Sequence, residues 1–160
     1  QPQIILNGEE VEQDIRKGYL HITREWQEGD MLNLTLPMPV RRVYGNPLVR
    51  HVAGKVAIQR GPLVYCLEHA DNGESLHNLW LPADAPFTTF EGNGLFRHKI
   101  LIQAPGYRYE QSNPEQQPLW HYDSAPAKRQ PQTLTFIPWF SWANRGEGEM
   151  RIWVNEETSA

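Results

Sequence analysis

A chain of 160 residues has room for one ordinary domain, or for one sandwich and part of another, but not for two full enzyme domains. Its net charge of −4, with basic residues scattered and in no run longer than two, excludes the electrostatic footprint of a nucleic-acid binder. Apolar residues at 39% and charged residues at 21% exclude disorder as the default state, and no apolar stretch approaches the roughly 20 residues of a membrane-spanning helix.

Thirteen prolines and 12 glycines imply many turns and few long helices. The chain opens at Gln1 without an initiator Met and enters an apolar run, Ile4-Ile5-Leu6, almost at once, so it reads as cut from a longer protein. The whole composition fits a soluble chain, cytoplasmic in preference to exported.

In chain order, "QIILNGEEV" predicts a hairpin, because both central positions of a type I′ turn need φ > 0 and Asn7-Gly8 supplies them. "GYLHITREW" follows as a strand, and Gly29-Asp30 as a turn. Leu32, Leu34 and Leu36 then alternate with Asn33 and Thr35, the period-2 pattern of a half-buried strand. Pro37 and Pro39 end it, since proline cannot donate to a central ladder.

"PVRRVYGN" reads as a short strand, and "GKVAIQRGPLVYCLE" as two buried strands, or one bent strand, broken at Gly61-Pro62. The polar segment "HADNGESLH" predicts a boundary after Glu68. Strands resume at "LHNLWLP", "FTTFEG" and "LFRHKILIQAP", and a long surface loop is expected over about 106–132. "QTLTFIPWF" and "EMRIWVN" close the chain as strands around the turn Ala143-Asn144-Arg145-Gly146. The sum is an all-β fold, an antiparallel β-sandwich of jelly-roll-like form, either a single sandwich or one sandwich plus part of a second.

Catalytic chemistry is poorly represented. Cys66 lies between Tyr65 and Leu67 and reads as a buried structural thiol; as the single cysteine it can form neither an intramolecular disulfide nor a cysteine-rich zinc site. His69 and His77 match no compact metal-ligand spacing, and "DNGES" lacks the alternating acids of a calcium loop. Glu9-Glu10, Glu147 and Glu149 sit in or beside turns, where solvated charge explains them better than a glycosidase pair. No glycine-rich phosphate loop, G-x-S-x-G elbow or H-E-x-x-H occurs, so neither catalytic nor metal-ligating residues are assigned.

The conspicuous stretch is "TLTFIPWFSWANRGEGEM". Trp139, Phe140 and Trp142 with Asn144 and Arg145, joined by Trp120 and Tyr122 from the long loop, could stack on a sugar and fix its hydroxyls. The alternative, which we prefer, is that this segment is core and interdomain packing, with Asn144 and Gly146 shaping a turn. In that case the isolated chain exposes an apolar patch and can form a homodimer that covers it.

Three stretches, "LTLPMPVRRVYGNPLVRHVAGKVAIQRGPLVYCLE", "LHNLWLP" and "TLTFIPWFSWANRGEGEMRIWV", together resemble the C-terminal part of bacterial β-L-arabinofuranosidases of glycoside hydrolase family 127. The resemblance weakens over 106–132. It implies an (α/α)6 barrel elsewhere in a parent chain, with a cysteine nucleophile on zinc held by a glutamate and further cysteines, and β-sandwich domains packed on it. None of those catalytic positions is matched here, and Cys66 is not the nucleophile. Residues 1–68 would then complete a first sandwich begun upstream and 69–160 would form a second, with a non-catalytic role supporting the barrel. The rival reading is a carbohydrate-binding module; neither involves nucleic acid or membrane, and neither needs a cofactor in this chain.

Overall fold

The computed structural model describes residues 2–12, 14–110 and 128–157. The chain forms two compact units, 1–39 and 40–160.

In the first unit, β1 (Gln3–Leu6), β2 (Glu9–Glu10), β3 (Asp14–Arg16), β4 (Tyr19–His21) and β5 (Leu32–Thr35) make a three-stranded sheet in the order β2-β1-β5 and a separate β3-β4 hairpin. The expected turn is present: Asn7 has φ of 52° and Gly8 of 90°, the left-handed pair a type I′ turn requires. Asn7 also ties the sheet together, its amide donating to Asp30 at 2.7 Å and its carbonyl oxygen accepting the Met31 N–H at 2.8 Å. Backbone donation from Gln27, with the Asn7 amide second, holds the Asp30 carboxyl below its ordinary range.

One expectation fails in this unit. Leu32, Leu34 and Leu36 alternate as a half-buried strand should, yet all three are exposed. The physical reason is that β5 is an edge strand with β1 as its neighbour, and the unit buries only Ile4 and Leu6 among the described hydrophobic residues.

The second unit contains β6 (Val40–Tyr44), β7 (Lys55–Arg60), β8 (Leu63–Glu68), a one-turn helix (His69–Asn72), β9 (Leu79–Pro82), β10 (Thr88–Glu91), β11 (Ile100–Tyr109), β12 (Arg129–Pro138), β13 (Met150–Arg151) and β14 (Val154–Glu157). Gly61, at φ of 55°, turns β7 back on β8, as the Gly61-Pro62 break foretold. The sheet runs β8-β12-β11-β9-β14-β7, and the β7–β8 pairing closes it into a ring of six strands, with β13, β10 and β6 hydrogen-bonded at its margins. Pairing is antiparallel throughout except between β14 and β9.

Alternation along these strands builds two apolar layers. Val56, Ile58, Tyr65, Leu67, Leu79, Leu81, Ile102, Ala104, Leu134, Phe136 and Val154 fill the inside. Cys66, Leu101 and Ile137 point outward and are covered by Phe96, with Met150 and Ile152 against them. The fold is thus all-β with antiparallel sheets, as the patterning implied, the sheet curling until its ends meet.

The boundary expected after Glu68 is displaced. Because β7 and β8 bond to each other, to β14 and to β12, residues 40–68 share one sheet with the C-terminal strands, and the units divide at Pro39 and Val40 instead. The loop expected over 106–132 is contradicted at both ends, where β11 and β12 pair continuously from Ile102↔Phe136 to Tyr109↔Arg129, and the rest of that expectation, 111–127, lies outside the described residues. Pro105 is tolerated inside β11 because the strand's other edge is unpaired there, between β10 (to Gln103) and β9 (from Tyr107). Gly106 is required by close approach, since a Cβ would stand 2.7 Å from the Trp80 carbonyl oxygen and from Leu134.

Candidate functional site

Where β12 ends, Pro138 leads into a 3₁₀ turn over Trp139–Ser141, closed by the Trp142 N–H donating to the Trp139 carbonyl at 3.0 Å. Phe136 points into the core and is fully buried, whereas Trp139, Phe140 and Trp142 are 50%, 58% and 39% exposed. Part of the aromatic stretch is therefore core and part is an outward platform. A hollow lined by Trp142, Ala143, Gly146, Glu147 and Gly148 lies beside it. Trp120 and Tyr122 lie outside the described residues.

The platform is held from behind. Arg145 reaches back to the end of β8 and to the one-turn helix: Nε donates to Glu68 Oε2 at 2.9 Å, one terminal nitrogen to Asp71 Oδ1 at 2.7 Å, and the other to both carboxylates. Its guanidinium lies 4.7 Å over the Phe96 ring. The Glu68 carboxylate also accepts the Ala143 N–H at 3.2 Å, fixing a residue whose φ is 64°. Hydrogen bonding to Asp71, and next to Glu68, pushes the Arg145 pKa up. Glu68 is only 3% exposed, so the pair is a buried clasp rather than a surface contact.

Further bonds complete the loop. The Asn144 amide donates to the carbonyls of Ser141 and Trp142, at 3.0 and 3.3 Å. The His69 N–H donates to the Glu149 carbonyl at 3.0 Å, and the Glu149 carboxylate accepts the N–H groups of Ser75 at 3.1 Å and Leu76 at 2.8 Å. The rings of 139–142 are presented by a loop with little freedom to reorient, which lowers the entropic cost of contact.

Backbone donation by Leu76 holds the Glu149 carboxyl below its ordinary 4.5. A carboxyl whose folded pKa is depressed contributes stability that is present above the unfolded pKa and lost as pH falls through the folded one. Glu149→Gln is therefore expected to lower stability at neutral pH. The gap from wild type should close as pH falls through and below the ordinary carboxylate range. Urea melts across that range check this, and parallel curves would refute it.

The structure brings Trp139, Phe140, Trp142, Asn144 and Arg145 into one loop. The residues missed from the sequence are Glu68 and Asp71, which bind Arg145 across 77 and 74 residues. The available signal was a charge at the end of β8, on a strand whose two faces are both apolar: such a carboxylate needs a partner.

Nothing among the described residues resembles an active centre built from the other candidates. Cys66 is fully buried, and burial, with Glu68 nearby, pushes its thiol up to about 12, far from a reactive thiolate. No three His, Cys, Asp or Glu side chains converge to hold a metal among the described residues. Among the described residues, no helix is long and apolar enough to cross a membrane.

Comparison with known proteins agrees with the resemblance. The profile described as "Glycoside hydrolase family 127 C-terminal domain" matches residues 40–155, and that described as "Beta-L-arabinofuranosidase, GH127 middle domain" matches 1–38, dividing the chain where its compact units do. A curated relative, the non-reducing end β-L-arabinofuranosidase of Bifidobacterium longum subsp. longum, is 34% identical over 93% of this chain and 23% of its own length. The crystal structure of a β-L-arabinofuranosidase from Geobacillus stearothermophilus T6 superposes with a TM-score of 0.85 at 42% identity, covering 98% of this chain and 25% of that one. A second solved structure, a β-arabinofuranosidase, gives 0.84 at 31% identity with 98% and 23% coverage. The chain thus spans about a quarter of the length of these relatives, and it belongs to glycoside hydrolase family 127.

Proposed function

We propose that this chain is the non-catalytic C-terminal β region of a β-L-arabinofuranosidase-like glycoside hydrolase, and that its Trp139–Trp142 platform packs on the remainder of the parent chain and supports the catalytic barrel. The observation that carries this reading is the rigid, exposed platform: three large aromatic side chains on one clasped loop, in a chain that spans about a quarter of its relatives. In this reading the nucleophile, the acid/base and the zinc reside in the barrel. What residues 1–160 contribute is buried area and a fixed orientation. Where the rest of the parent is absent, a second copy of the chain can cover the same patch as a homodimer.

The test is a triple variant, Trp139→Ser, Phe140→Ser and Trp142→Ser, made both in the 160-residue chain and in the full-length parent. These side chains are exposed in the chain by itself, so its melting temperature should change by no more than a few degrees. The parent should lose at least tenfold in hydrolytic half-life at elevated temperature, because each ring leaves an unfilled site in the interface. Equal thermal inactivation of wild-type and variant parent would end the proposal.

Exposed Trp139 and Trp142 also favour the second reading, a carbohydrate-stacking platform. Against it, the groups expected to fix hydroxyls are already engaged: the Asn144 amide donates within the loop, and the Arg145 guanidinium donates to Glu68 and Asp71.

A further inference from the structure

Another surface of the second unit has sugar-binding chemistry, and Trp139, Phe140 and Trp142 are not among its walls. Strand register places Phe90 opposite Leu101, and Gln103 opposite both Thr88 and Thr135. The intervening Ile102, Ala104, Leu134 and Phe136 point into the core, so Phe90, Gln103 and Thr135 share the outward face. Together with Asp71, Asn93 and Arg145 they line a groove of about 350 Å³.

That volume is at the small end of ligand sites, roughly 300 to 1,000 Å³, and suits one or two sugar rings. Phe90 is 39% exposed and offers a ring face to the apolar side of a sugar. Around it stand two amides and a threonine hydroxyl, which both donate and accept as sugar hydroxyls require, and a carboxylate, which accepts. The Gln103 amide donates to Thr135 Oγ1 at 3.2 Å, which orients it and leaves its carbonyl oxygen and second N–H for a ligand. Glu91 also lines the groove, so two carboxylates outnumber the one guanidinium, and that guanidinium is already paired. A phosphate or uronate is therefore disfavoured. Phe90, Gln103 and Thr135 sit on paired strands, Asp71 is held by Arg145, and Asn93 sits in a turn closed by the Phe96 N–H donating to its carbonyl at 2.8 Å, so the groove exists before a ligand arrives.

We propose that this groove is a binding site for the end of a neutral oligosaccharide, separate from the aromatic platform and independent of how the platform packs; that the sugar is arabinose rests on the function proposed for the parent. Phe90 stacks on the sugar ring, and Gln103, Asn93 and Asp71 take its hydroxyls.

The test is a titration of the isotopically labelled 160-residue chain with methyl β-L-arabinofuranoside, an arabinose disaccharide and, as the acidic control, glucuronate, followed by two-dimensional amide NMR. The neutral sugars should produce saturable shifts centred on Phe90, Asn93 and Gln103, and glucuronate should not. Affinity should fall about tenfold in Phe90→Ala, with a loss of the same order in Gln103→Ala, and remain unchanged in Trp139→Ala. Phe90 and Gln103 lie on the outer face, so dispersed spectra are expected for both variants. Absence of saturable shifts, affinity equal to wild type in both variants, or a loss confined to Trp139→Ala would overturn the proposal.

Discussion

Arg145→Met is expected to destabilise the 160-residue chain by about 3 to 5 kcal/mol, the range for removing one partner of a buried ion pair. The number is large because Glu68 has nowhere else to go: it is 3% exposed, at the end of β8, behind the loop of residues 142–149. Deleting the guanidinium leaves that carboxylate buried with the Ala143 N–H still donating to it, and also removes the ring contact with Phe96. An exposed pair would give at most about 1 kcal/mol, so urea denaturation separates the two cases. The double variant Glu68→Gln with Arg145→Met removes the buried charge along with its partner and should recover at least half of the loss. A single-variant loss below about 1 kcal/mol, or a double variant no better than the single, would show that the clasp does not hold the loop.

Phe136→Ala should cost a similar amount, about 3 to 5 kcal/mol, through a different mechanism. Phe136 pairs with Ile102 on one side and Leu67 on the other, and all three are fully buried inside the ring of strands. A closed sheet cannot collapse onto a void as a single flexible layer can, so the missing ring leaves a cavity added to the lost transfer energy. Trp139→Ala, three residues on, should change stability of the isolated chain by less than about 1 kcal/mol because its ring is half exposed. Comparable losses at both positions would mean that the aromatic stretch does not divide into core and platform.

That division illustrates what the sequence could and could not reveal. Asn7-Gly8 and Gly61-Pro62 announced their hairpins because turn chemistry is local: the backbone at Asn7, Gly8 and Gly61 adopts positive φ, as those residues permit. Alternation revealed the strands for the same reason. Closure of the ring depends instead on β7 meeting β8 while β14 meets β9, and no local pattern encodes which strand becomes whose neighbour. The boundary at Pro39 and Val40 was hidden because polar composition changes at Glu68, where a one-turn helix follows β8, and not where the compact units part.

Periodicity also overstated burial at Leu32, Leu34 and Leu36. It reports that one face is apolar, and nothing in it tells whether the covering layer belongs to the same stretch of chain. At the loop of Arg145 the sequence revealed a turn and a cation, but the partners stand more than seventy residues away and are joined to it only by the fold. Gly106 and Pro131 carried the opposite error. Counted into the loop expected over 106–132, they sit within the paired strands β11 and β12.

Hydroxyl-radical footprinting of Trp139, Phe140 and Trp142, compared between the 160-residue chain and the full-length parent, bears most directly on the role proposed for this region. If the platform packs on the remainder of the parent, all three rings should be oxidised readily in the chain and at least fivefold more slowly in the parent, while exposed Leu48 reacts equally in both. Equal oxidation of the three rings in chain and parent would show that the platform faces solvent in the whole enzyme and supports nothing.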